Sequence, residues 1–336
     1  MPPNGGMKFD VIIYDSIGME YTEESAETGA LGGSELEVTI LAEELSRRGK
    51  SVLVENRHQQ PNDQICPSGA IYRKLGSETP LQTKTLVVMR YSKPPRHIVA
   101  DKTVVWLHDI PSHDGRGNLV GEHQHLQGVD ATFVCVSRWQ AELFPKTFNK
   151  HVIPNMLPAW NYDLQPQVRI PGRFHYASGA MKGLNKTIAL WRNFREKMKS
   201  RGLRQHPELH VFTPAWSPVE ASGEVESGVI FHGPVSPTHA FLSELSKSEG
   251  MFYVNELPEN FCISAAQTEL FGGRVHVLCV NGEGGIRDTL SHPEWITTDP
   301  GQFEEGFFAA LRKNPKVTGL RFHPETVLRY WLDVLS

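Results

Sequence analysis

A chain of 336 residues with 34 Lys and Arg against 38 Asp and Glu has a formal net charge of -4, which excludes a strongly basic nucleic-acid binder. Hydrophobic residues make up 39% and charged residues 21%, the balance of a folded globular chain rather than a disordered one. No apolar run approaches the ~18–20 residues needed to span a bilayer. At roughly 100–200 residues per domain, the length suits two α/β domains.

The first apolar run, residues 9–14, predicts a β-strand. No small-residue cleavage site follows it, so the start of the chain reads as part of the fold of a cytoplasmic protein rather than as a secretory segment. Further short runs rich in Val and Ile predict strands at 51–55, 85–89, 103–107 and 132–136, then at 173–177, 209–212, 229–231, 251–254 and 275–280. Runs this short alternating with helical stretches indicate buried parallel strands in doubly wound α/β sheets. Between the two sets, residues 153–172 hold Pro154, Pro158, Pro166 and Pro171 without periodicity, as a linker does, and place a domain boundary near residue 165. The expected organisation is therefore a first Rossmann-like domain over 1–165, a second over 166–320, and a C-terminal helix over 321–336 that packs back across the domains. Val327, Leu328, Trp331, Leu332 and Leu335 give that helix one apolar face. Cys66, Cys135, Cys262 and Cys279 form no CxxC pair, which argues against a zinc ribbon or a disulfide scaffold.

Helix starts at the carboxyl ends of such strands are where ligands collect. Ser34 with Glu37, and Ser137 with Gln140, have the spacing of capping boxes. Gly29, Gly32 and Gly33 precede the first of these, where glycines let a phosphate approach backbone N–H groups; the loop fits neither GxGxxG nor GxxxxGK[ST], and a flexible turn before a well-capped helix explains it equally well. His108-Asp109, His113-Asp114, His123 and His125 are dense in ligand-type side chains, but their spacing matches no metal motif, so no metal is expected. His108, at a strand end, is the better candidate for hydrogen-bonding a polar ligand. In the second half, Lys182 follows a strand and can neutralise an anion, against the plainer reading of a solvated surface charge. The stretch 253–269 carries Glu256 and Glu259 ahead of a helix rich in small residues, where carboxylates can accept from sugar hydroxyls. Gln267 has an alternative reading as the partner of Ser264 in a capping box. Residues 281–285, Asn-Gly-Glu-Gly-Gly, form either a backbone anion nest or a tight loop.

Taken in order, GALGGSE, VVWLHDIP, VCVSRW, VIPN, YASGAMKGL, ELPENFCISAAQTELFGG and NGEGG resemble the retaining glycosyltransferases of family 4. The resemblance implies the GT-B architecture of two facing Rossmann-like domains and transfer of a sugar from a nucleotide diphosphate sugar to an acceptor hydroxyl, with no metal or other cofactor. It places the backbone of Gly32 and Gly33 at the donor phosphates, Ser137 at the start of a helix near the donor, and His108 at the transferring sugar or the acceptor. Lys182 would neutralise the diphosphate leaving group. Glu259 matches the first Glu of the family's E-x7-E signature, with the backbone of Phe261, Cys262 and Ile263 beside the donor sugar. The acceptor's class, whether glycan, lipid-linked, protein or small molecule, is left open. Two positions depart from the pattern: Ser178 stands nearest to where many members have an Arg, and Gln267 replaces the second Glu, keeping one acceptor oxygen but losing the charge. These departures leave an alternative, a non-catalytic glycosyltransferase-like subunit that acts as a binding partner.

Overall fold

The computed structural model describes residues 8–28, 31–60, 62–76, 79–219, 222–225, 228–312 and 320–336, so Gly29 and Ala30 of the glycine-rich loop lie outside the described residues. In chain order the first elements are β1 (Lys8–Tyr14), α1 (Ser25–Thr28), α2 (Gly33–Arg47), β2 (Val52–Asn56), β3 (Gln64–Ile65), β4 (Ile71–Lys74), β5 (Leu81–Met89) and β6 (Ile98–Leu107). The hairpin β7 (Ser112–His113) and β8 (Leu119–Val120) follows, then β9 (Thr132–Cys135), α3 (Arg138–Leu143) and β10 (Asn149–Val152). The second half has α4 (Trp160–Asp163), β11 (Arg173–Ala177), α5 (Leu184–Ser200), β12 (Glu208–Phe212), β13 (Ser222–Val225), β14 (Val229–Gly233), α6 (Thr238–Ser246) and β15 (Gly250–Asn255). It continues with α7 (Ile263–Leu270), β16 (Arg274–Cys279), α8 (Ile286–Thr289), β17 (Ile296–Thr297) and α9 (Pro300–Ala310), and the chain closes with α10 (Pro324–Leu335).

Two compact units result. The first takes the residues up to Ala26, Gly33–Met156 and Pro324–Ser336; the second takes Glu27–Gly32 and Leu157–His323. The division therefore falls after Met156, ahead of residue 165, because the proline-rich stretch is bonded into the second unit. Leu157 N–H donates to the Phe322 carbonyl at 2.8 Å, Gln167 N–H to Ser246 Oγ at 3.1 Å, and Ile170 N–H to the Lys247 carbonyl at 2.8 Å.

In the first unit the sheet order is β10-β9-β6-β5-β1-β2-β4-β3, parallel except where β3 meets β4. The strand interiors are near-continuous Val, Ile and Leu, as burial on both faces requires. In the second unit the order is β13-β14-β12-β11-β15-β16-β17, antiparallel only between β13 and β14. Its core is unusually aromatic: Trp191, Phe194, Phe252 and Phe307 are fully buried, with Phe194 at 5.2 Å from both Phe252 and Phe307. Offset and edge-on ring pairs of this kind add ~0.5–1.5 kcal/mol each beyond simple area burial.

The two capping boxes part company here. Ser137 caps α3, accepting from Gln140 N–H at 3.1 Å, and Gln140 Oε1 reaches back to Val136 N–H at 2.8 Å. Ser34 does not cap α2, because the helix already begins at Gly33. Its hydroxyl donates to Glu35 Oε2, while Glu37 turns inward, fully buried, to accept from Met156 N–H at 2.8 Å. Burial pushes the Glu37 carboxyl well above the usual range.

Helix α10 belongs to the first unit, where Trp331 meets Trp106 edge-on at 4.5 Å and Thr85 Oγ1 donates to the Leu335 carbonyl at 3.3 Å. Both indoles are buried. Trp331→Ala should therefore cost about 3–5 kcal/mol of stability in urea denaturation; a loss below about 1 kcal/mol would show that the helix is only loosely attached.

Candidate functional site

The chemistry-bearing residues of the second unit gather at the carboxyl ends of β11 and β15. Lys182 lies in the turn after β11, and its Nζ is 3.0 and 2.9 Å from Glu259 Oε1 and Oε2. The Glu259 carboxylate is buried, with a side chain only 9% exposed, and the Tyr253 hydroxyl stands 3.1 Å from its Oε1 and equally 3.1 Å from Asn255 Oδ1. Burial alone would lower the pKa of the Lys182 ammonium, but the facing carboxylate and its hydrogen bonds outweigh that and raise it. Lys182 is thus a held cation rather than a solvated surface charge.

Two glycines let the backbones around this pair pack closely. Gly183, at φ +119°, follows Lys182, and a Cβ there would stand 2.1 Å from the Val254 carbonyl oxygen. Gly284, at φ +64°, bridges to Glu259, and a Cβ would stand 2.6 Å from the Glu259 carbonyl oxygen, which also accepts from Gly285 N–H at 2.6 Å. The loop 281–285 is therefore built into the cradle of Glu259, and Asn281 Nδ2 adds a bond to the Glu256 carbonyl at 2.7 Å. Glu256 itself pairs with Lys186 at 2.7 Å on the surface, which leaves Glu259 as the carboxylate of the site.

Around this pair, Ser178 lies near the Tyr176 and Tyr253 hydroxyls, which donate to the Gly179 carbonyl and to Asn255 and Glu259. Phe261 is buried edge-on against Phe322 at 5.0 Å, and Ile263 opens α7. Cys262 precedes that helix, its thiol pushed up to about 12 by burial and so held neutral. All four cysteines are buried free thiols. Gln267 is buried within α7 and does not cap it: Cys262 occupies the N-cap position without a side-chain bond, and Ser264 instead accepts through its carbonyl from Thr268 Oγ1 at 2.7 Å. The capping reading of Gln267 is thereby removed.

In the first unit, a second cluster lies at the carboxyl ends of β1, β5 and β6. Arg90 makes a bidentate pair with Asp109, both bonds 2.7 Å, from a left-handed backbone at φ +59°. A non-glycine residue in that region costs of order 1 kcal/mol or more and is found where surrounding structure enforces it. The neighbouring carboxylates of Asp15 and Glu35 close over Gly18, where a Cβ would meet Asp15 Oδ2 at 2.3 Å and Glu35 Oε1 at 3.0 Å. The Asp15 carboxylate in turn accepts from Gly18 N–H at 2.8 Å and from the Tyr21 hydroxyl at 3.0 Å. His108 lies tilted against Trp106 with ring centres 4.9 Å apart, and burial lowers its pKa to about 3, so it is a neutral imidazole near pH 7. The Asp109 carbonyl accepts from Gln140 Nε2 at 3.2 Å, which links Ser137's helix to the same corner.

The other His and Asp residues of that stretch are used locally: Asp114 closes the β7–β8 turn, His123 packs between Tyr91 and Phe144, and His125 bonds the Glu122 carbonyl. Among the described residues no group of three His, Cys, Asp or Glu side chains could hold a metal ion. No helix among them is long and apolar enough to cross a membrane. Gly32 falls in the second unit and Gly33 opens α2 in the first. Asp15 and Arg90 are the cluster members that the sequence pattern did not mark, although each stands one residue beyond a predicted apolar strand; Glu35 and Tyr253 fell inside marked stretches without being given a role.

No protein-family profile and no curated protein sequence matches this chain. Solved structures do. AviGT4, a glycosyltransferase involved in avilamycin A biosynthesis, is similar at a TM-score of 0.63 and 12% identity, covering 97% of both chains. WaaG, a glycosyltransferase involved in lipopolysaccharide biosynthesis, is similar at 0.60 and 13%, covering 97% of this chain and 94% of its own. An α,α-trehalose-phosphate synthase (UDP-forming) from Burkholderia vietnamiensis is similar at 0.58 and 10%, covering 98% and 96%. At such identities the likeness shows the fold, which is the GT-B architecture with two Rossmann-like domains and a C-terminal helix that the order of the motifs implied.

Removing Lys182 strands a buried carboxylate. Lys182→Ala should cost about 1–3 kcal/mol in urea denaturation, and Lys182→Ala combined with Glu259→Gln should recover part of it, with a coupling of at least about 0.5 kcal/mol. Strict additivity would mean that the pair contributes nothing to the fold.

Proposed function

We propose that the chain is a retaining glycosyltransferase that moves a sugar from a nucleotide diphosphate sugar to an acceptor hydroxyl. The observation that carries this reading is the Lys182–Glu259 pair, a cation and a carboxylate held together at the strand ends where ligands of doubly wound sheets bind. Its support from sequence is the ordered run of family 4 motifs, and from structure the shared fold.

On this reading the donor diphosphate takes over the Lys182 ammonium. As the bond between the sugar's anomeric carbon and the diphosphate oxygen breaks, negative charge grows on the leaving group, and a cation already in place stabilises it without reorganisation. The acceptor hydroxyl attacks on the face the diphosphate leaves, and its proton passes to a leaving phosphate oxygen, so no separate general base and no metal is called for. Glu259, released from Lys182, accepts from a hydroxyl of the donor sugar, oriented by Tyr253. The backbone of Phe261, Cys262 and Ile263 lies beside that sugar, Ser178 helps replace the missing Arg, and Gln267 accepts from the ribose through its amide oxygen. Gly32 and Gly33 meet the phosphates through their backbone. Neutral His108, near Ser137's helix, hydrogen-bonds the transferring sugar or the acceptor.

The test is turnover of a panel of nucleotide diphosphate sugars by the purified chain, with and without a chelator. Turnover should be unaffected by chelation, and Lys182→Ala should lower it at least about tenfold, or some 1.4 kcal/mol. If no donor is bound or turned over, the binding-subunit alternative replaces the enzyme; an obligate divalent ion would overturn the metal-free mechanism.

A further inference from the structure

The second unit leaves several large apolar side chains on one edge of its sheet. Met181, Trp216, Leu257 and Val280 are all exposed, and they lie in the loops just after β11, β12, β15 and β16, four strands that are neighbours in the sheet. Apolar surface left in water next to a half-buried cation suits a ligand that is itself part anion and part flat ring.

Trp216 is the most specific of these. Its indole is 44% exposed, yet its loop is pinned. Ser217 N–H donates to the Pro214 carbonyl at 2.9 Å, Val219 N–H to Thr213 Oγ1 at 3.1 Å, and Ala180 N–H to Ser217 Oγ at 3.1 Å. The far edge of the indole rests on Gly179, where a Cβ would stand 2.7 Å from its Cη2. The Gly179 carbonyl accepts from both the Lys182 N–H at 2.9 Å and the Tyr176 hydroxyl at 2.7 Å. A rigid, half-exposed aromatic face is therefore mounted on the very turn that carries the site's cation.

Resting on the donor reading above, we propose that Trp216 is the shelf on which the base of the donor nucleotide stacks while Lys182 holds its diphosphate. Stacking addresses the flat face that every base has, so this contact supplies affinity without selecting purine from pyrimidine. Other contacts would set any preference between bases.

Calorimetric titration of the full chain with ADP, UDP and inorganic pyrophosphate tests this. Trp216→Ala should weaken the nucleoside diphosphates that bind by about tenfold and leave pyrophosphate unchanged, whereas Trp216→Phe, which keeps a ring, should stay within about threefold. Because the side chain is half exposed, the fold should survive, which a melting curve checks. Unchanged nucleotide affinity in Trp216→Ala overturns the stacking role while leaving the donor site standing, and an equal loss for pyrophosphate overturns it by showing that the indole only props the Lys182 turn. Absence of nucleotide binding by the unaltered chain overturns the donor reading itself, and the shelf with it.

Discussion

Lys182 and Glu259, 77 positions apart, form an ion pair between a turn and a loop whose backbones are themselves bonded, the Glu256 N–H donating to the Lys182 carbonyl at 3.1 Å. Gly183 and Gly284 supply that closeness, each in a left-handed conformation that other residues rarely adopt and each where a Cβ would overlap a carbonyl oxygen. The turn after β11, the loop after β15 and the loop after β16 are thereby locked into one another. The loops that carry the two charges are held by that interlock, with Gly285 N–H donating to the Glu259 carbonyl at 2.6 Å. Leaving a carboxylate this buried without a cation is costly, so Lys182 pairs with it in the free protein, and on the proposed reading a donor sugar hydroxyl takes that place.

The first unit solves a similar problem differently. Arg90 and Asp109 come from adjacent parallel strands in register, with Met89 opposite Trp106, so each charge emerges just beyond the end of its strand. The Arg90 N–H is bonded to the Trp106 carbonyl at 2.7 Å, and the strained backbone of Arg90 turns the guanidinium back onto Asp109. Such strain persists where neighbouring groups enforce it, here an ion pair and the hydrogen-bonded corner of Gln140. Neutral His108 lies against Trp106 beside this corner.

The strands of both sheets were legible because burial on both faces demands continuous apolar runs; β11 spans the same residues, 173–177, that its sequence pattern marks out. Edge strands were not, nor was β4 inside the first sheet, whose Ile-Tyr-Arg-Lys carries no apolar run. Asn149–Val152 is polar and largely exposed, and Gln64–Ile65 is only two residues long, so neither carries an apolar signature. Ser34 misled because its spacing to Glu37 is that of a capping box, while the deciding fact, a buried backbone N–H at Met156 in need of an acceptor, lies 119 positions away. Lys182 and Glu259 were found singly from their strand-end loops, but their pairing was invisible, since it depends on β11 and β15 being neighbours. Trp216 had no signal beyond its residue type, because only its exposure against Gly179 distinguishes it from a core aromatic.

On the proposed donor reading Lys182 passes from Glu259 to the donor diphosphate, so the carboxylate competes with the ligand for one cation. Calorimetric titration of Glu259→Gln with a nucleoside diphosphate that the unaltered chain binds measures that competition directly. Removing the carboxylate's charge should tighten binding by about threefold or more, because the ammonium no longer has to leave an anionic partner. Weaker binding by Glu259→Gln would contradict the account, since it would place the carboxylate among the groups that hold the diphosphate rather than among those that give it up.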